Sequence, residues 1–182
     1  PMQHQYLITE PIEGVTADLP TLRDPDRLCY FKEEVGGFAM GGYELEPMPW
    51  TPPDGIPRDF HFQLLESDWD QFEGLFLQAV GRVPALENVG IRQRINGPEA
   101  FTPDGSFILG EWPEVRGFFV GAGFNAYGIA ANGGAGRALA EWIVGGEPST
   151  DLWPVDIRRF GAHHRETKFL IERTTEATGK HY

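Results

Sequence analysis

Two sets of residues in this 182-residue chain have the types and spacing to do chemistry. The first is Gly123, Phe124, Asn125, Ala126, Tyr127, Gly128 and Ile129, inside the stretch 118–144. The apolar run Phe118-Phe119-Val120 reads as a buried strand. A glycine-rich turn over 121–128 follows, and then a helical period that puts Ile129, Gly133, Gly136, Ala140, Ile143 and Val144 on one face. Gly145-Gly146 and Pro148 end it. Gly133, Gly134 and Gly136 each cost a helix roughly 1 kcal/mol relative to Ala. A helix that keeps them is expected to hold its backbone close to a strand or a ligand. Gly121-x-Gly123-x-x-Ala126 matches the dinucleotide fingerprint, but the second parallel strand with a terminal acid is missing, because Glu141 is still helical. What remains is a glycine turn feeding a helix N-terminus, with unbonded N–H groups and a positive dipole end. That device suits a phosphate, a carboxylate or a flavin ring that becomes anionic on reduction. A packed strand–helix corner with no ligand has the same sequence pattern, so both readings stand on the residues alone.

The second set is ionisable. His4 precedes a strand, and an ordinary imidazole pKa of about 6.5 suits proton handling at neutral pH. Arg92 or Arg94 could grip a carboxylate with two parallel N–H donors, although a solvated strand face explains them more simply. His61, His163, His164 and His181 lack metal-ligand spacing with acidic partners, so no metal is expected. Asp104 reads as a turn former. The single cysteine, Cys29, excludes an internal disulfide and a cysteine metal cluster. A net charge of −12, from 27 acidic and 15 basic residues, argues against nucleic acid or an anionic membrane as partner. No apolar run approaches the roughly 18 residues of a membrane span. The chain begins with Pro1 rather than Met, which points to a piece of a longer polypeptide and gives missing N-terminal signals no weight.

These residues must be positioned by strands and a few helices. The pattern predicts strands over 5–10, 28–33 and 38–43, the last two joined as a hairpin through Glu34-Val-Gly-Gly37. Residues 15–26 and 44–57 read as loops. Alternation at Phe60, Phe62 and Leu64 predicts a short edge strand. The clearest helix runs over 67–80, with Ser67 and Asp70 as a capping-box-like start and Trp69, Phe72, Leu75, Phe76, Ala79 and Val80 as its buried stripe. Residues 89–96 form a strand broken by Gly97-Pro98, and 107–110 another. Residues 162–178 read as a helical tail whose partner surface lies outside this chain. Together these elements predict an α+β layer with an antiparallel sheet.

Several motifs, in order, carry a family resemblance. They are His4-Gln-Tyr6 leading into Leu-Ile-Thr-Glu-Pro11, Leu28-Cys-Tyr-Phe-Lys-Glu33, Asn96-Gly-Pro98 and Phe101-Thr-Pro-Asp104. Then come Leu109-Gly-Glu111, Gly117-Phe-Phe-Val-Gly-Ala-Gly-Phe124, Gly133-Gly-Ala-Gly136, Glu141-Trp-Ile143, Gly146-Glu-Pro148 and Asp156-Ile-Arg-Arg-Phe160. The set resembles the FAD-dependent glycine/D-amino-acid oxidase superfamily, in its dimethylglycine and sarcosine dehydrogenase branch. It is also similar to the pyruvate dehydrogenase phosphatase regulatory subunit, which gives a non-catalytic alternative.

The resemblance implies an antiparallel substrate-lobe sheet with helices, plus the C-terminal part of a split FAD-binding lobe. Residues 1–100 would be part of the substrate lobe, 101–160 the return to the FAD lobe, and 161–182 a linker. It implies that His4 and Tyr30 face the flavin and help deprotonate or orient an amine, since hydride leaves an N-methyl carbon only when the nitrogen lone pair is available. Phe31 stands where some relatives have a second tyrosine. Residues 123–129 would lie against the flavin ring. The ADP-binding G-x-G-x-x-G segment would lie upstream, and a folate-binding aminomethyltransferase-like region downstream, with tetrahydrofolate as a second cofactor. The expected function is oxidation of N-methyl amino acids by the full-length polypeptide. Residues 1–182 alone would be inactive and would not hold FAD tightly. The expected compartment is the cytoplasm, or the mitochondrial matrix in a eukaryote.

Overall fold

The computed structural model describes all residues, 1–182. They divide into two compact units: Gln3–Pro98 with Gly179–Tyr182, and Glu99–Thr178 with Pro1–Met2. Each is described by itself.

The first unit is built on a five-stranded sheet. Its strands are β1 (Met2–Thr9), β2 (Leu22–Asp24), β3 (Cys29–Glu34), β4 (Gly37–Gly42) and β5 (Ile91–Glu99), in the order β2-β3-β4-β1-β5. β1–β4, β2–β3 and β3–β4 are antiparallel. The β3–β4 hairpin turns at Val35 and Gly36, both at positive φ (53° and 78°), the geometry that matches the twist of its strands. Strand alternation divides the side chains between two faces. Leu7, Cys29, Phe31 and Met40 point to one face and pack against Phe72, Leu75 and Ala79 of helix α1 (Trp69–Arg82). His4, Tyr6, Tyr30 and Gly41 fall on the other.

Four sequence expectations need correction in this unit. α1 is capped by Asp68, whose side chain accepts from the Gln71 N–H at 3.1 Å, and not by Ser67. Two cap-competent residues stand side by side, and the backbone chose the second. β5 continues through Gly97-Pro98 to Glu99, because it is the last strand of the sheet and a proline there forfeits no inner ladder bond. Phe60–Leu64 forms no strand: Phe62 has φ +53° and a fully exposed ring, and only Leu65 makes a bridge, to Asn96. β2, inside the supposed loop 15–26, is three residues long, too short for alternation to show.

The second unit holds the hairpin β6 (Ile108–Glu111) and β7 (Phe119–Ala122), helix α2 (Gly128–Gly145), a run of short 3-10 turns and the helix α3 (Thr167–Gly179), whose last residue belongs to the first unit. α2 buries Ala135 and Trp142. The Trp142 ring meets Phe119 at 5.8 Å, and a Cβ at Gly110 would sit 2.9 Å from it. The apolar stripe read from the sequence is the opposite face. Ile129 is 93% exposed and Val144 89%, and a Cβ at Gly133, Gly134 or Gly136 would meet nothing within 4 Å. Within this chain the stripe covers nothing. No helix is long and apolar enough to cross a membrane.

Candidate functional site

The open face of the five-stranded sheet carries the first group. Register places Tyr6, Gly41, Tyr30 and Arg23 in one row across β1, β4, β3 and β2. His4 is on the same face of β1. Tyr30 and His4 lie on strands separated by β4, and they meet because Gly41 between them has no side chain. A Cβ there would sit 2.5 Å from the Tyr30 hydroxyl and 2.7 Å from Tyr6 Cβ. The Tyr30 ring therefore lies across Gly41, and its hydroxyl reaches His4 Nε2 at 3.1 Å. The two rings are nearly parallel, 6.3 Å apart, and Tyr43 packs against His4 at 4.5 Å. Tyr43 is itself buried.

Burial, and then the nearby His181, lowers the His4 pKa to about 4. At neutral pH its imidazole is uncharged and keeps a lone pair to accept a proton or a hydrogen bond. Glu44, the residue after Tyr43, is pushed up to about 7 by burial. The two shifts act on stability in opposite directions. An unfolded chain protonates His4 near 6.5, whereas the folded sheet resists until about 4. The unfolded state thus binds more protons in that window, and stability falls as pH drops through it. Glu44 contributes stability that is full below 4.5 and lost as pH rises through about 7. His4→Gln is expected to remove about 2–3 kcal/mol of the acid-side loss. Urea unfolding of variant and parent at neutral and mildly acidic pH reads this difference. Equal acid sensitivity would mean that His4 is not held neutral.

Residues 91–94 of β5 are exposed, and Arg94 lies over the Trp69 ring at 6.0 Å. Arg92 and Arg94 thus sit on a solvated strand face. Asp104 is a turn former: it accepts from Thr102 Oγ1 and Ser106 N–H and is gripped by Arg159, whose Nε is 2.6 Å away. The His163 and His164 rings lie tilted against each other at 4.0 Å, beside Phe169. Sequence reasoning missed Gly41, Tyr43 and Arg23, and saw His181 only as a failed metal ligand.

The second group, residues 123–129, follows β7 in the other unit. Asn125 is buried at φ +48°, and its side chain ties the turn together. Its Oδ1 accepts from the Thr102 N–H at 2.8 Å and from Thr102 Oγ1, while Nδ2 donates to Gly123 O at 2.6 Å. Its own N–H donates to Ala100 O, and the Tyr127 N–H to Phe124 O. Those two amides and that side chain serve the fold. Ala126, Tyr127 and Ile129 are exposed, and α2 has no side-chain cap at its N-terminus. Its first-turn amides, at Gly128, Ile129 and Ala130, have no carbonyl one turn back to bond. Apart from Asn125, the turn is not buried under its own side chains. An uncapped helix start beside an open glycine face fits the anionic edge of a flat cofactor.

The family model described as FAD dependent oxidoreductase matches residues 1–142, and one described as FAD dependent oxidoreductase central domain matches 145–182. The mitochondrial sarcosine dehydrogenase of Mus musculus is 42% identical over 184 residues, covering 100% of this chain and 19% of that protein. The mitochondrial pyruvate dehydrogenase phosphatase regulatory subunit of Mus musculus is 41% identical over 175 residues, covering 96% and 20%. The mitochondrial dimethylglycine dehydrogenase of Homo sapiens is 37% identical over 188 residues, covering 99% and 21%. The chain thus spans about one fifth of the length of these relatives. The crystal structure of L-proline dehydrogenase from P. horikoshii superposes with a TM-score of 0.68 at 24% identity, covering 88% of this chain and 40% of that one, so the fold is shared. On the match over residues 1–142, the chain belongs to the FAD dependent oxidoreductase family.

Proposed function

We propose that the polypeptide containing this chain oxidises N-methyl amino acids of the sarcosine or dimethylglycine type, with His4 and Tyr30 handling the amine. The carrying observation is the half-buried His4 bonded to Tyr30 at 3.1 Å, an imidazole that burial holds below its usual pKa. An amino-acid substrate arrives as an ammonium and cannot lose hydride until nitrogen gives up its proton. A neutral imidazole in line with a phenol accepts that proton or its hydrogen bond, fixes the nitrogen, and keeps water out through the Tyr43 wall. FAD, when bound, supplies the two-electron acceptor. On this reading residues 123–129 hold the flavin ring, with the Gly128–Ala130 amides and the α2 dipole favouring negative charge at its edge. Asn125 acts there by holding the turn. The names of two relatives, sarcosine and dimethylglycine dehydrogenase, share an N-methyl amine, which supports this substrate class. A mitochondrial compartment, as in the names of these relatives, with the matrix as the proposed part of it, and a folate acceptor downstream belong to the same proposal.

The regulatory reading is favoured by one observation, the 41% identity to the phosphatase regulatory subunit. Turnover separates the two. Full-length protein incubated with sarcosine or dimethylglycine is expected to yield the demethylated amino acid and formaldehyde, or its folate adduct, detected by mass spectrometry. A flavin-loaded protein that converts neither would favour the regulatory reading.

A further inference from the structure

The last four residues, Gly179–Tyr182, belong to the same unit as the sheet. They run directly beside the His4 group. A Cβ at Gly179 would lie 2.4 Å from Leu45 O, so the chain leaves α3 pressed on the segment just after Tyr43. The His181 ring meets Tyr43 edge-on at 4.3 Å, on a ring that also touches His4. The Tyr182 ring meets Tyr43 at 5.7 Å. Arg23, at the far end of the Tyr6–Gly41–Tyr30 row, holds both: its Nη2 donates to His181 O at 3.2 Å, and its guanidinium lies 4.3 Å over the Tyr182 ring. Two aromatic side chains and a backbone carbonyl are thus tied to the open sheet face that bears His4 and Tyr30.

We propose that Gly179–Tyr182 is a strap that completes the amine-handling group, with His181 and Tyr182 as positioning residues for His4 and Arg23 as the strap's anchor. This rests on the reading of His4 given above. The strap acts through Tyr43, which it presses against the imidazole, and through exclusion of water from that side. Among the groups facing His4 are Tyr30 from β3, Tyr43 after β4, and His181 from the strap. Arg23 and Tyr182 stand behind them. Burial, to which the strap adds, is the larger cause of the lowered His4 pKa and the nearby His181 is the second; Arg23 acts as the anchor that keeps the strap in place. The strap therefore helps to hold His4 uncharged.

Two readouts on the full-length polypeptide test this, with Arg23→Gln and His181→Asn as variants. The first is the pH profile of kcat/KM with sarcosine. The parent is expected to show no histidine ionisation above about pH 5, whereas both variants acquire one on the acid limb between about pH 5 and 6.5. Unchanged profiles in both would overturn the proposal, and a merely structural role would lower the rate without moving the limb. The second readout needs no activity. Trypsin cleavage after Lys180, followed by mass spectrometry, is expected to be about 10-fold faster or more in Arg23→Gln than in the parent. Equal rates would overturn the strap. If the parent oxidises no N-methyl amino acid, the function reading falls, and the proteolysis result alone decides the strap.

Discussion

Replacing His4 by Asn in the full-length polypeptide is expected to slow flavin reduction by sarcosine or dimethylglycine about 10²–10³-fold, with flavin content unchanged. Asn keeps a hydrogen-bonding group of similar size but has no lone pair able to take a proton at neutral pH. The parent imidazole is not a strong base. Its pKa of about 4 means that it stays neutral throughout the working range. Its contribution is therefore orientation and transient acceptance of the ammonium proton, with Tyr30 3.1 Å away to spread the charge. Tyr30→Phe removes the hydroxyl and leaves the ring lying across Gly41. It is expected to cost nearly as much as His4→Asn. The double variant should be little worse than either, because groups acting as one unit do not add. Additive losses, each multiplying the other, would mean that the pair does not work as a relay.

Asn125→Ala is expected to destabilise the unit containing it by about 2–4 kcal/mol. The side chain is buried and makes three hydrogen bonds, two accepted from Thr102 and one donated to Gly123 O. Alanine would leave the Thr102 N–H and the Gly123 carbonyl without these partners. It would also sit at φ +48°, a left-handed conformation that Asn tolerates better. Asn125→Asp keeps both acceptor contacts but sets a buried carboxylate oxygen against the Gly123 carbonyl, so it too is expected to destabilise. Urea unfolding followed by tryptophan fluorescence ranks the parent, Asp and Ala proteins. The same Ala variant is expected to bind flavin more weakly, since the turn it holds leads into α2. An Ala variant as stable as the parent would refute the role given to this residue.

What could be read in the sequence was local. The α1 stripe of Phe72, Leu75 and Ala79 is buried as its spacing demanded. The α2 period was equally clear, but periodicity says which residues share a face and not what covers that face. Ile129, Ile143 and Val144 share one, and within these residues it is bare. The glycine turn was legible because strand, turn and helix follow in sequence. Nothing local distinguished Asn125, which holds the turn, from its exposed neighbours Ala126 and Tyr127. His4 and Tyr30 are 26 positions apart on strands that do not pair, and their contact depends on Gly41 in the strand between them. No spacing rule reveals such a pair, and the family motifs pointed to it instead. His181 is further still from His4 in sequence, and only the fold of Gly179–Tyr182 against the sheet brings it to Tyr43.

The most direct measurement is anaerobic rapid mixing of the FAD-loaded full-length protein with sarcosine and with dimethylglycine, for the parent and for His4→Asn. The parent's visible flavin band is predicted to bleach with at least one of the two amines, and the variant's to bleach hundreds of times more slowly at equal flavin content. A parent flavin that neither amine reduces, or a variant reduced as fast as the parent, would contradict the account.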